Sequence, residues 1–198
     1  VLEIGQYTTA PLACRHLATL GAEVLKIEPP EGDAARHWQP SNEGHSYFFV
    51  MTNSDKQSYA LDLNDPTEAE DFTKLVASAD ILIENLKPGS LARRGFSREN
   101  LNQINPRLIY CAISGFGTDS AYGQRPAFDT VVQAMSGFMD ANIHDGMPMK
   151  AGISVGDLMG GEVGLFAVLA ALHGRRQSGL GAYVDLSMQD VAAWVTAP

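Results

Sequence analysis

A doubly wound α/β fold with a mostly parallel sheet of Rossmann-like topology is predicted for this 198-residue chain. Three observations predict it. Short apolar runs of strand length alternate with stretches of helical periodicity. Residues 1–30 already hold a strand, a helix and a second strand, the unit that joins parallel strands. A composition of 45% hydrophobic and 19% charged residues is that of an ordinary globular protein with a core to bury.

Each element has its own signal. "VLEIG" is a short buried strand that ends in glycine, and a helical stretch from Thr9 to Leu20 follows, closed by Gly21. "AEVLKIEPP" is an apolar strand stopped by two prolines. "YALDLN" alternates as a strand does, and "DPTEAEDFTKLVASA" opens a helix with Asp65 as N-cap and Pro66 in the first helical position. "DILIEN" is a further buried strand. "SRENLNQINP" is a short helix started by a Ser-x-x-Asn pattern, and "RLIYCAISGFG" is a strand that runs into glycines. Beyond it, "FDTVVQAMSGFM" has helical spacing, and "NIHDGMPMKAGISVGD" reads as a loop. "LMGGEVGLFAVLAALHGRRQSG" is a helix apolar on nearly every side, hence buried, with Arg175 and Arg176 placed favourably at its C-terminal end. "AYVDLSMQD" is a last strand leading into a helix. In such a sheet, ligands are expected at the carboxyl ends of the strands.

Several function classes are disfavoured. The net charge of −9 argues against nucleic acid as a partner, which usually shows as a basic excess. The longest apolar run, residues 163–172, is shorter than a bilayer span, so no membrane partner is expected. Cys14 and Cys111 have neither disulfide nor metal spacing, which points to a reducing cytoplasm and no metal. The first strand–helix turn, "GQYTTAP", lacks the G-x-G-x-x-G of a dinucleotide site, so no redox cofactor is expected. The five histidines form no nucleophile motif with Ser or Cys.

Three features can carry chemistry. In "ENLKPGSLARRGFSR", Lys87, Arg93, Arg94 and Arg98 fall within 12 residues free of acid, a positive island in an acidic chain. It is either a phosphate-binding patch or a solvated helix end. Asp129 in "PAFDTVV" stands at a helix start, where the dipole favours an anion. Asp157 in "AGISVGDLMGGEVG" is an N-cap or first-turn acid, or a reacting carboxylate. The glycines around it, at 152, 156, 160 and 161, would let a bulky ligand approach the backbone. Free N–H groups at that helix start would stabilise developing negative charge. Thr8 and Thr9 are candidate caps of the first helix.

Taken together and in order, "VLEIGQYTTAPLACRHLATLGAEVLKIEPPEGDAAR", "ALDLNDPTEAEDFTKLVASADILIENLKPGSLARRGF", "NPRLIYCAISGFG", "PAFDTVVQAMSG" and "GLGAYVDLSMQD" resemble the family III CoA-transferases. That family includes formyl-CoA transferase, the carnitine CoA-transferases and the related alpha-methylacyl-CoA racemases. Members are about twice this length, so the resemblance implies that residues 1–198 are the N-terminal part of the large CoA-binding domain, without the small domain and the returning C-terminal segment. The start at "VLEI" without Met and the stop at "AAWVTAP" fit a fragment.

The resemblance carries roles onto particular residues. Asp157 falls on the catalytic aspartate. Asn85 and Arg93 fall on CoA-contacting positions, with Lys87 and Arg94 in the same segment. Leu61 and Leu86 match the lining of the adenine and pantetheine region. Gln6 and Thr8 belong to a turn beside the thioester, although formyl-CoA transferase has its glutamine where this chain has Thr8. Asp129 matches an acidic position near the active site. The racemase branch places a histidine directly before that acid, where this chain has Phe128, and a phenyl ring cannot exchange a proton. The resemblance therefore implies transfer of CoA from an acyl-CoA to a small carboxylic acid through an aspartyl-CoA thioester, in an interlocked homodimer. A 2-methylacyl-CoA racemase and a non-catalytic CoA-binding fragment are the alternatives.

Overall fold

The computed structural model describes residues 1–197. The chain runs β1 (Leu2–Ile4), α1 (Thr9–Thr19), β2 (Leu25–Glu28), a 3-10 turn (Ala34–His37), a small hairpin β3 (Ser41–Asn42) and β4 (His45–Ser46), α2 (Tyr47–Asn53) and β5 (Gln57–Ala60). It continues with α3 (Pro66–Ser78), β6 (Ile81–Glu84), α4 (Ser90–Arg93), α5 (Arg98–Ile104), β7 (Ile109–Ser114), α6 (Asp129–Met135) and α7 (Phe138–Ala141). A second hairpin, β8 (Ile143–His144) and β9 (Met147–Pro148), precedes α8 (Val155–Ser178), β10 (Ala182–Ser187) and α9 (Met188–Thr196).

The main sheet has the order β10-β7-β6-β1-β2-β5, and every pair in it is parallel. From β5 inward this is the doubly wound order, in which the chain works outward from β1 in one direction and then restarts on its other side at β6. The register sets Leu2 beside both Leu25 and Leu82, and Ile4 beside Glu84. The switch point therefore lies between the carboxyl ends of β1 and β6.

Alternation along the strands feeds two cores. Ile81, Ile83, Ile109, Cys111 and Ile113 point to the layer formed with α1, α8 and α9. Leu2, Ile4, Ile27 and Leu82 point to the other layer, which holds Phe72, Leu91, Phe96 and Leu101. Helix ends follow their sequence signals. Asp65 accepts from the backbone N–H of Thr67 and Glu68 with Pro66 behind it, and the Ser97 hydroxyl accepts from Asn100 N–H. Gly21 leaves α1 with φ +95°, a value that favours glycine.

The structure departs from the sequence expectations at four places. "YALDLN" is not a strand throughout: β5 ends at Ala60, because the Asp62 carboxylate accepts from the backbone of Asn64 and folds the chain into a turn. The expected single helix over "FDTVVQAMSGFM" breaks at Gly137, with φ +84°. The expected loop over residues 142–157 contains the β8–β9 hairpin, and α8 already starts at Val155. Finally, α8 has 24 residues, and by length and composition alone it could cross a membrane. Against the expectation of burial on nearly every side, only one face is buried, at Gly160, Gly161, Gly164, Leu165 and Val168, while Phe166 on the other face is exposed, because α8 covers the sheet and α1 with one side alone. Gly160 and Gly161 lie against Thr9 and Leu12 of α1, and Gly164 lies against Ile113 of β7.

Candidate active site

The carboxyl ends of β1, β6 and β7 and the starts of α1 and α8 enclose a cavity of about 270 Å³. Of the residues singled out in the sequence, Gln6, Thr8, Asn85, Leu86, Lys87 and Asp157 line it. This is the switch-point crevice that the topology predicts.

The turn from β1 into α1 is built to a fixed shape. A Cβ at Gly5 would come 2.7 Å from Ala10 Cβ and 2.9 Å from Asn85 Oδ1, so only glycine fits there. Asn85, just past β6, grips the turn as a peptide group would. Its Oδ1 accepts from Gln6 N–H at 2.9 Å, and its Nδ2 donates to Gln6 O at 2.9 Å and to Thr9 Oγ1 at 2.7 Å. Both amide hydrogens of Asn85 are spent on this grip. Tyr7 holds φ +64°, left-handed backbone that costs energy for a residue with a side chain and that collects at functional sites. Its ring stacks on Trp38 at 5.1 Å and meets Phe128 edge-on at 6.3 Å.

Below the turn lies a buried ion network. Lys26 Nζ donates to Gly5 O at 2.8 Å and pairs with Glu3 at 2.7 Å and Asp33 at 3.1 Å. Lys56 pairs with the other Glu3 oxygen at 2.6 Å and donates to Pro11 O at 2.7 Å. Two buried ammonium groups thus pin the carbonyls on either side of the Gln6–Ala10 stretch.

Asp157 is the third residue of α8, so it is a first-turn acid and not the N-cap, a position held by Ser154. It is half-buried. Burial pushes its carboxyl up to about 6, and the negative charge of Asp129 adds to the rise; the Thr8 hydroxyl and Lys150 act against it. Asp129 opens α6, is 6% exposed and lies behind Asp157 instead of lining the cavity. Its Oδ1 accepts from Gly156 N–H at 2.8 Å and from Asp157 N–H at 3.4 Å, while its Oδ2 accepts from Gln133 Nε2 at 2.7 Å. Lys150 Nζ stands 3.9 Å from Oδ2.

Two expectations about this helix start are corrected. Its N–H groups do not face a reacting centre, because the Asp129 carboxylate occupies those of Gly156 and Asp157. Nor do the glycines make room for a ligand. A Cβ at Gly156 would lie 2.9 Å from Val132 Cγ1 and 3.2 Å from Asp129 Oδ1, while Gly160 and Gly161 face Met188, Thr9 and Leu12. They permit close packing against α1, α6 and α9, and only Gly152 has open space.

The remaining sequence candidates stand apart from the cavity. Leu61 is 3% exposed and belongs to the core layer with Phe72. Arg93 ends α4, Arg94 follows it as the C-cap, and both are exposed. Arg93 folds back onto Ser90 Oγ at 3.1 Å, and Arg94 donates to Asn64 Oδ1 at 3.0 Å. Among the described residues, Lys87, Arg93, Arg94 and Arg98 form no ion pair, so the positive island keeps its charge. Lys87 joins that island to the cavity.

Sequence reasoning missed Tyr7, Arg125 and Gln133. Tyr7 and Arg125 line the cavity, and Arg125 lies over the Tyr122 ring at 4.7 Å. No sequence pattern announces the left-handed backbone of Tyr7. Gln133 did have a signal: it follows Asp129 by four residues in a helical stretch, which places the two side chains on one face.

The geometry amounts to a half-buried carboxylate facing a switch-point cavity, with a cationic patch at the cavity's edge. Comparison with known proteins identifies the family. The model of CoA-transferase family III matches residues 1–198. The chain is 39% identical to a succinate–glutarate CoA-transferase of Agrobacterium fabrum over 100% of its own length and 52% of that protein. It is 41% identical to an acetyl-CoA:oxalate CoA-transferase of Acetobacter aceti over 96% of its length and 50% of that protein. A crystal structure of a CAIB/BAIF family protein from Brucella suis superposes with a TM-score of 0.93 at 36% identity, covering 99% of this chain and 53% of the other. The chain thus spans about half the length of the relatives it matches, and with the family model matched from its first residue to its last, it belongs to CoA-transferase family III.

Proposed function

We propose that the protein carrying this chain transfers CoA from an acyl-CoA thioester to a free carboxylic acid, with Asp157 as the nucleophile. The observation that carries this reading is the Asp157 carboxylate at the wall of the switch-point cavity, shared with Gln6, Thr8 and Asn85. An Asp157 oxygen attacks the thioester carbonyl and expels CoA thiolate, which leaves a mixed anhydride. The thiolate attacks the Asp157 carbonyl, releases the donor acid and forms an aspartyl-CoA thioester. The acceptor carboxylate attacks that thioester and expels the thiolate again. The thiolate then attacks the acceptor's acyl carbonyl, which forms the new acyl-CoA and returns the Asp157 carboxylate.

Each addition builds an oxyanion. The start of α1 is the donor set we assign to it, because Thr8 and Thr9 line the cavity and the first N–H groups of a helix lack partners within it. The unpaired cations from Lys87 to Arg98 suit the phosphates of CoA. The acceptor we infer is a short dicarboxylate. Support comes from the succinate, glutarate and oxalate in the relatives' names and from the two cations that line the cavity, Lys87 and Arg125. The exposed Phe166 and Trp194, at 64% and 73%, suit burial in a homodimer, and two buried free thiols suit the cytoplasm.

Intact-mass measurement tests the reading. The protein incubated with succinyl-CoA and quenched in acid is expected to carry a CoA thioester that maps to Asp157. Turnover without any adduct on Asp157 would refute the nucleophile assignment.

A further inference from the structure

The geometry points to Gln133 as the positioning residue that sets where the Asp157 carboxylate stands, acting together with Asp129 as a clamp on the chain leading into α8. The inference rests on the reading of Asp157 as nucleophile. Gln133 is fully buried, touches no part of the cavity and has no other role in the chemistry.

Gln133 Oε1 accepts from Ala151 N–H at 2.9 Å. Its Nε2 donates to Ile153 O at 3.2 Å and to Asp129 Oδ2 at 2.7 Å. Asp129 then passes the connection on through Oδ1 to Gly156 and Asp157 N–H. One helix, α6, thereby fixes four backbone groups of the segment 151–157, which has no regular structure before Val155.

That segment needs an external hold. Ser154, the N-cap of α8, makes no side-chain capping bond, so the Asp129 carboxylate substitutes for a cap. Asp129 in turn has one oxygen for the helix and one for Gln133, so without Gln133 its Oδ2 keeps no hydrogen bond and only the Lys150 ammonium at 3.9 Å. The steric fit is equally tight, since a side chain at Gly156 would strike Val132 and Asp129. A nucleophile held this way is preorganised, and displacement by an ångström can cost on the order of 100-fold in rate.

Three variants and one exchange measurement test this in the intact protein. Gln133→Met keeps the volume and removes all three hydrogen bonds. It is expected to lower kcat about 10- to 100-fold while KM for acyl-CoA stays within about threefold. Hydrogen exchange at the Gly156 and Asp157 amides should speed up. Gln133→Glu removes the donor to Asp129 and sets two carboxylates face to face, with a comparable loss. Adding Asp129→Asn to it restores a donor–acceptor pair between positions 129 and 133 and keeps the total charge. The double variant should recover about tenfold of kcat over Gln133→Glu alone, as coupled neighbours do. That recovery is what a merely space-filling role would not give.

An unchanged kcat and unchanged amide exchange in Gln133→Met would overturn the inference. So would a double variant no better than the single ones, which also decides the matter if Gln133→Met fails to fold. Were the unaltered protein to transfer no CoA, the functional reading would fail, while the exchange rates would still decide whether the clamp exists.

Discussion

Asp157 carries a stability penalty that its removal should release. Its carboxyl is pushed from 3.8 to about 6, first by burial and then by the charge of Asp129. A folded-state value above the unfolded one means that the folded protein prefers the protonated acid. Ionisation therefore costs stability, and the cost grows as pH rises from about 4 to about 6 and is fully present above that. A rise of roughly two units corresponds to about 3 kcal/mol at most, and the partial solvent contact of the group reduces this to about 1–2 kcal/mol. Asp157→Asn removes the charge and keeps the shape. At pH 7.5 it is expected to raise Tm by about 2–8 °C for a chain of this size. Near pH 3 the two proteins should melt together, because the acid is then mostly protonated in both states. Thermal melts across that pH range, read by circular dichroism, make the comparison. A variant less stable than the parent at pH 7.5 would refute the burial argument and restore Asp157 as a structural anion of the helix start.

If Asp157 is the nucleophile as proposed, the same shift predicts that kcat falls below pH 6 as it takes up its proton, with about 90% ionised at pH 7. A pH–rate profile with its acid limb near 4 would contradict this. Arg93→Ala should weaken CoA binding by about 1.5–3 kcal/mol if its guanidinium meets a phosphate, as titration calorimetry would report. Equal affinity for parent and variant would remove Arg93 from the site. Lys56→Met leaves half of the buried Glu3 charge without its partner, and should cost about 3–5 kcal/mol of stability in chemical denaturation. No deuterium should enter the α-position of a 2-methylacyl-CoA in heavy water, because Phe128 offers no proton where a second base is needed; wash-in as fast as CoA transfer would count against the assignment.

The sheet was legible because its strands carry their own signals. "DILIEN" and "RLIYCAISGFG" are centred on buried apolar runs, residues 81–83 and 111–113, and Asp65-Pro66 announces α3 on chemistry that holds without tertiary contacts. The region from the end of β2 to the start of β5 was not legible. Its structure depends on Asp33, Lys26 and Lys56 meeting Glu3 across the fold, and on Trp38 lying between Tyr7 and Phe48. No local period encodes such contacts. For the site, the lone acid among glycines marked Asp157, but it suggested the wrong use of its surroundings. Glycine permits both a ligand and a helix to approach, and sequence does not distinguish them; here Thr9, Leu12 and Val132 are what approach.

The placement of Asp129 explains why a helix start can hold a carboxylate that is nevertheless pushed up. An acid in the first turn of a helix is ordinarily favoured as an anion, because the free N–H groups and the dipole stabilise it. Two carboxylates compete for that benefit here. Asp129 takes the N–H groups of Gly156 and Asp157, so the helix's positive end is spent on a buried, non-reacting acid. Asp157 is left with burial, a like charge behind it and only the Thr8 hydroxyl and Lys150 in its favour. In the proposed reaction, a carboxylate that is ionised near neutral pH yet poorly stabilised as an anion loses little when it forms the mixed anhydride and then the thioester. With Asp157 as the proposed nucleophile, this arrangement would raise the ground state of the attacking group without displacing it, while the Gln133 amide holds the second oxygen of the competing acid.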